Sequence, residues 1–201
     1  MDKVIAALKS RNMNGYFVKD REEAREKALS LIDKDMQISF AGSVTLRETG
    51  LLDELRKGGY KLIDRDLAKP NLYMKHWVMK NYANKGIFLS GSNALTEDGK
   101  IVNMDGWGNR VNGINYGPEK VIIVAGRNKI VKDLDAAVQR IARVASPKNT
   151  KRLGKGTPCA EKGECVDCRS PDRICNILSV VQFQNIPDRI HVIIVNEELG
   201  Y

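Results

Sequence analysis

The chain has 201 residues, 42% of them hydrophobic and 29% charged, with a formal net charge of +8. That composition excludes a disordered or fibrous chain and suits one globular domain, which at this size buries roughly 70% of its unfolded surface and folds without disulfides. The longest apolar runs, such as Val121-Ile122-Ile123-Val124-Ala125, are strand-sized and far short of the roughly 20 residues of a membrane span.

In chain order, Met1 to Lys9 mixes apolar and charged residues in a helical pattern. Its apolar stretch is too short for a signal peptide, so a cytoplasmic protein is expected. Asp20 caps a helix through Ile32, with Glu23 closing a capping box. The charges of Lys19 to Lys27 alternate in sign, as on a solvated helix face. Met36 to Phe40 reads as a strand, followed by the turn Ala41-Gly42-Ser43 and a helix from Thr45 to Lys57, stopped by Gly58-Gly59. Tyr60 to Ile63 is a short strand, Asn71 to Tyr82 a helix and Gly86 to Ser90 a buried strand. Ala94 to Asn103 forms a hairpin pivoting on Asp98-Gly99. Lys120 to Ala125 is apolar enough to be a central strand covered on both faces. Lys132 to Ala145 is an amphipathic helix by the spacing of Leu134, Ala137, Val138, Ile141 and Val144, and Arg189 to Val195 is the last strand.

Alternating strands and helices predict an α/β fold with a mostly parallel sheet flanked by helices, as a single domain over 1–201. Ligands of such sheets bind outside the carboxyl ends of the strands. Two glycine-serine loops lie at such ends. In Ala41-Gly42-Ser43-Val44-Thr45, backbone N–H groups at a helix start suit phosphate or carboxylate, and Ser43 and Thr45 add hydroxyl donors. The alternative for this loop is a tight turn with a serine cap and no ligand. The second loop, Gly91-Ser92-Asn93, opens a polar stretch that includes Thr96, Asp98, Asp105, Asn109 and Arg110. Arg110 is the natural counter-ion for an acidic ligand. No Walker loop occurs, and Gly106-Trp107-Gly108 neither opens a helix after a strand nor has the third glycine of a dinucleotide fingerprint.

Gly91-Ser92-Asn93-Ala94-Leu95-Thr96-Glu97-Asp98-Gly99, Gly108-Asn109-Arg110-Val111 and the run from Tyr116 to Val131 resemble the core motifs of the LUD (lactate-utilisation) family. Gly42-Ser43-Val44-Thr45 with Glu48 resembles its early strand–loop–helix, so the likeness covers nearly the whole chain. The resemblance implies a fold akin to the NagB/RpiA sugar-phosphate isomerases and CoA transferases. It also implies an association with lactate or related 2-hydroxy-acid utilisation, beside iron–sulfur partner proteins. It supplies no catalytic residue. Glu48, Asp98 and Asp105 are the candidate acid/base groups, and Gly42, Ser43, Thr45, Gly91, Ser92, Asn93, Thr96, Asn109 and Arg110 the candidate ligands of a small carboxylate or phosphate.

All four cysteines, Cys159, Cys165, Cys168 and Cys175, fall within seventeen residues spaced C-x5-C-x2-C-x6-C, inside a Cys-rich insertion or loop spanning 147–176. The segment is too polar to shelter inert core thiols, and a cytosolic disulfide is disfavoured. Four thiolates hold a [4Fe–4S] cluster or zinc. The lactate-utilisation context favours the cluster over zinc, with unligated thiols third. His76, His191 and the pair Tyr73 and Trp77 are expected to be packing residues.

Three functions follow. The first is a redox or accessory protein of 2-hydroxy-acid utilisation, binding a small anion between the Gly42 and Gly91 loops and carrying a cluster for electron transfer. The second is an enzyme acting on a phosphorylated or CoA-linked substrate. The third is a zinc-stabilised nucleic-acid binder using the basic stretch from Lys148 to Lys155, which a small anion would explain with fewer demands.

Overall fold

The computed structural model describes residues 1–68 and 72–201, and for residues 68, 72, 75, 76 and 82 the backbone alone. In chain order the elements are α1 (Asp2–Ser10), β1 (Asn14–Val18), α2 (Arg21–Ser30), β2 (Ile38–Phe40), α3 (Val44–Glu48), α4 (Leu51–Lys57), β3 (Leu62–Ile63), α5 (Leu72–Tyr82), β4 (Ile87–Gly91), β5 (Ala94–Thr96), β6 (Ile101–Asp105), α6 (Asn109–Asn115), β7 (Lys120–Gly126), β8 (Ile130–Val131), α7 (Leu134–Arg140), α8 (Ser146–Arg152), α9 (Pro158–Lys162), β9 (Ile177–Val181) and β10 (Ile190–Val195).

Six strands make an all-parallel sheet in the order β1-β10-β7-β4-β2-β3. Successive side chains of a strand face opposite ways, and β7 and β10 divide accordingly. Val121, Ile123, Ala125, Val192 and Ile194 enter one core, with Val4 and Leu8 of α1, Met79 of α5 and Ile114 of α6. Ile122, Val124, Ile193 and Val195 enter the other, with Ala24 and Ala28 of α2, Leu46 of α3 and Leu51, Leu52 and Leu55 of α4. The parallel sheet with helices on both faces, and a central strand from Lys120, is the expected architecture.

The predicted hairpin forms, with Leu95 opposite Ile101, but it leaves the main sheet. With β8 and β9 it builds a second sheet of order β8-β5-β6-β9. Ala94 and Val102 pack there on Ala137 and Ile141. The strand β1 and the helices α6, α8 and α9 lie outside the predicted elements. The single helix expected from Thr45 to Lys57 is two, because Gly50 takes the left-handed conformation (φ +70°) and Thr49 Oγ1 donates back to the Leu46 carbonyl at 3.1 Å. The helix expected to end at Ala145 continues through a wider π turn, Ile141–Ala145, into α8. Pro147 follows that turn, and its ring and missing N–H interrupt the regular ladder.

His191 is a packing residue, as expected. It is buried and stacked on Tyr16, whose hydroxyl is 3.0 Å from Nδ1. Tyr73 and Trp77 are not core residues: they are 88% and 51% exposed on the outer side of α5. The side chain of His76 lies outside the described residues. Among the described residues no helix is long and apolar enough to cross a membrane.

Candidate functional site

The carboxyl ends of β2, β4, β7 and β10 are contiguous in the sheet, so the loops leaving them meet at one edge. There they border a small cleft of about 50 Å³, lined by Gly42, Ser43 and Thr45 after β2, Gly91, Ser92 and Asn93 at the end of β4, Lys129 after β7, and Gly200 and Tyr201 after β10. Arg110 at the start of α6 and Asn149 and Arg152 on α8 complete it.

Local chemistry explains each wall. Ser43 caps α3, its Oγ accepting the Leu46 N–H at 3.2 Å. Gly91 lets the two loops touch, since a Cβ there would sit 2.7 Å from Ser43 Oγ. Asn93 is a junction rather than a free ligand. Its Oδ1 accepts from Met104 N and from Arg110 Nη2, both at 2.8 Å, and its carbonyl accepts from Arg140 Nη1 at 2.6 Å. Ser92 is buried and donates to the Ala94 carbonyl at 2.9 Å.

Arg110 is oriented by Asp105, whose carboxylate accepts the Arg110 Nε–H at 2.9 Å and the backbone N–H groups of Arg110 and Val111 at 2.8 and 3.1 Å. Asp105 is therefore at once the cap of α6 and the counter-ion of Arg110. Lys129 is buried, and its Nζ donates to Thr45 Oγ1 at 3.0 Å. Burial, then the charges of Arg140 and Arg110, bring its pKa down to about 7, opposed by Glu48. Glu48 is exposed and accepts the Gly200 N–H at 2.7 Å, which holds the final residues across the cleft. A Cβ on Gly200 (φ +57°) would lie 2.7 Å from Thr45 Oγ1 and 3.2 Å from Lys129 Nζ, so this approach requires glycine.

The structure thus brings Gly42, Ser43, Thr45, Gly91, Ser92, Asn93 and Arg110 to one cleft, with Glu48 and Asp105 at its margin. Thr96 and Asp98 stand apart at the hairpin turn. Thr96 Oγ1 accepts Lys100 N–H at 2.8 Å, and Asp98 is engaged by Thr96, Lys100 and Arg11. Asn109 faces a separate apolar groove with Tyr73, Met79 and Trp107. Sequence reading missed Lys129, Arg140, Asn149, Arg152, Gly200 and Tyr201. The one usable signal was the basic stretch that contains Arg152, since Lys129 looks like any other lysine of a positively charged chain.

The four cysteines are free thiols, Cys159 buried, Cys165 exposed and Cys168 and Cys175 half-buried. Cys159 Sγ is 3.5 Å from Thr150 Oγ1 and 3.4 Å from Thr157 Oγ1. Arg173 ties the loop together, donating to the carbonyls of Cys168 and Cys175 at 2.5 and 2.9 Å. Burial raises the Cys175 pKa; Arg173 opposes this, and the other three cysteines push the same way as burial. Cys159 lies on α9, and the other three cysteines lie in the segment between α9 and β9. As folded, no three His, Cys, Asp or Glu side chains converge on a common point among the described residues.

The LUD domain family model matches residues 1–195. The chain belongs to the LUD domain family. This LUD domain is similar over its whole length to a solved structure, a DUF162 family protein from Deinococcus radiodurans, at 12% identity and TM-score 0.53, covering 97% of this chain and 98% of that one. Ribose 5 phosphate isomerase A from Neisseria gonorrhoeae matches at 16% identity and TM-score 0.36, over 68% of this chain and 65% of that one. Ribose 5-phosphate isomerase from Plasmodium falciparum matches at 13% identity and TM-score 0.34, over 56% and 52%. None of the curated proteins matches. Family membership makes the LUD domain a lactate-utilisation-related protein.

Proposed function

We propose that this LUD domain binds a small carboxylate or phosphate in the cleft between the Gly42 and Gly91 loops, as part of lactate or related 2-hydroxy-acid utilisation. The observation that carries this reading is an excess of cations at the cleft. Arg110 has its carboxylate, Asp105. Among the described residues Lys129 bonds Thr45, Arg152 bonds Asn149 and Tyr201, and Arg140 behind them bonds the carbonyls of Asn128 and Asn93, all neutral groups. Beneath Gly42 lies Arg65, with its Nε buried and unpartnered. Positive charge in a partly buried setting is costly without nearby negative charge, and an anionic ligand at the cleft would offset it.

The basic stretch serves this cleft locally. Arg152 lines it, Lys155 pairs with Asp172 at 3.1 Å, and Pro147 and Thr150 are buried. This favours a small anion over a nucleic acid. Binding is tested by titrating L-lactate, glycolate and inorganic phosphate, each at low and high salt. Saturable stabilisation by one of them is expected, and no response to any would overturn the reading. Arg152 is exposed, so Arg152→Ala is expected to leave the melting temperature unchanged. It should weaken the bound anion about tenfold or more, the worth of one charge-assisted hydrogen bond.

The cysteine loop extends the proposal to a redox role. Cys159, Cys165, Cys168 and Cys175 would hold a [4Fe–4S] cluster, with zinc the alternative. A cluster would let the protein pass electrons to an iron–sulfur partner. Metal and sulfide analysis of protein purified without oxygen is expected to give about four iron and four sulfide per chain, with a visible band bleached by dithionite. Stoichiometric zinc without colour would make the loop a structural clip. No metal would remove the redox half of the proposal and leave the cleft untouched.

A further inference from the structure

We infer that Lys129 is a covalent residue, its amine forming an imine with the carbonyl carbon of a small 2-oxo acid whose carboxylate lies in the cleft. The inference rests on the cleft being an anion site, and it names both the substrate class and the chemistry of that site.

Among the described residues Lys129 is the one buried lysine, at 4% exposure. Long lysine side chains ordinarily carry the charge out to water along an apolar surface. Here the backbone prevents that. Gly126 passes so close to the last strand's exit that a Cβ would meet Leu199 N at 2.5 Å, and the tight turn Arg127–Lys129 then directs the side chain inward, under Gly200.

The amine arrives among like charges. Arg140 and Arg110 both act against its protonation, opposed only in part by Glu48. Its hydrogen bond to Thr45 Oγ1 uses a small part of its capacity. A lysine retained only to anchor Thr45 would be a poor choice, since burying an ammonium beside guanidinium groups is unfavourable. A lysine retained only to attract an anion would duplicate Arg110 and Arg152, which stay charged at any physiological pH. What lysine alone offers here is a neutral amine near pH 7, and the same surroundings that lower its pKa make that amine a nucleophile.

The ligand class follows from the neighbours. Arg110, Arg152 and the Ser43 loop call for a carboxylate, the amine calls for a carbonyl, and a cleft of about 50 Å³ calls for a small molecule. A 2-oxo acid has both groups on adjacent carbons, and it is the oxidised partner of a 2-hydroxy acid. In the step, the Nζ lone pair attacks the carbonyl carbon and one Nζ proton passes to the carbonyl oxygen, giving a carbinolamine. Its hydroxyl takes a second proton, from solvent, and leaves as water as the C=N bond forms, and the iminium keeps the remaining Nζ proton. No oxidant or reductant takes part. Thr45 Oγ1, in contact with Nζ, is placed to relay the proton. The iminium acidifies the C–H bonds next to it, so bound pyruvate should exchange its methyl hydrogens with solvent.

The test is to incubate the whole protein with pyruvate and cyanoborohydride at pH 7, then map the reduced adduct by peptide mass spectrometry. Methyl exchange in deuterium oxide is followed in parallel by NMR. Saturable labelling at Lys129 ahead of exposed lysines such as Lys3, with exchange above the protein-free rate, is the expected result. Lys129→Arg keeps a cationic side chain for the carboxylate but has no nucleophilic amine, so it should keep pyruvate binding while losing both signals. Should that variant not fold, the map on the unaltered protein still decides. Saturable pyruvate binding with label only on exposed lysines would overturn the imine and leave the anion cleft standing. No pyruvate binding and no label at Lys129, with phosphate and lactate also silent, would overturn both.

Discussion

Lys129→Met is expected to make the protein more stable and to abolish its function. The methionine fills nearly the same volume without a charge to desolvate. A lysine whose pKa falls from 10.5 to about 7 on folding lowers stability wherever the unfolded chain is protonated and the native protein is not. The cost is absent above the unfolded pKa, grows as pH falls from there to about 7, and is complete below that value. The variant's advantage should therefore be largest, about 2–4 kcal/mol, at pH 7 and below. It should vanish toward pH 10.5. Urea unfolding of both proteins at pH 6.5, 8.5 and 10 checks this. A variant that is less stable at every pH would show the amine to be a structural anchor for Thr45. The gain in stability with loss of anion affinity is the pattern of a strained functional residue.

Asp105→Ala should have the opposite effect. The carboxylate carries three hydrogen bonds, capping α6 and pairing with Arg110, and the two side chains are only 10% and 14% exposed. Removing it leaves a largely buried guanidinium unpaired and the helix uncapped, at a cost of about 3–5 kcal/mol. Arg110 would also lose the contact that aims it, so phosphate or lactate affinity should fall with stability. Asp105→Asn keeps one acceptor and should recover part of both. If thermal melts instead show Asp105→Ala as stable as the unaltered protein, the pair is not holding α6 against β6.

These two residues illustrate unequal legibility. Asp105 was visible as a carboxylate in a polar stretch, and its proximity to Arg110 in sequence made a shared site readable. That it spends its oxygens on the first turn of α6 was not readable, because α6 has too little periodicity to declare itself. Asp98, equally visible, belongs to a hairpin turn where Arg11, distant in sequence, shares it. Lys129 left no trace. Its role comes from burial beside Arg140 and Arg110, and from Gly200 closing over it, which are facts of packing rather than of spacing. Arg152 was visible only as part of a basic stretch, because the helix that presents it runs past Ala145, where the apolar periodicity ends, through a π turn.

The cap at Asp20 shows how far local chemistry reaches. Asp20 accepts the Glu22 and Glu23 N–H groups as the sequence implies, while Glu23 reaches back to Lys19 N at 2.8 Å instead of closing the box on Asp20. By itself the sequence determined the parallel α/β sheet, its central strand, the two glycine-serine loops at strand ends and the close spacing of the four cysteines, because periodicity, caps and turns act over a few residues. Only the tertiary structure decided that β2, β4, β7 and β10 end side by side, that the hairpin leaves the main sheet for a second one, and that Lys129, Arg140, Arg152 and Gly200 meet at the cleft. Those outcomes depend on strand order and on burial of charge, which arise from contacts between residues far apart in the chain and have no signature in local spacing.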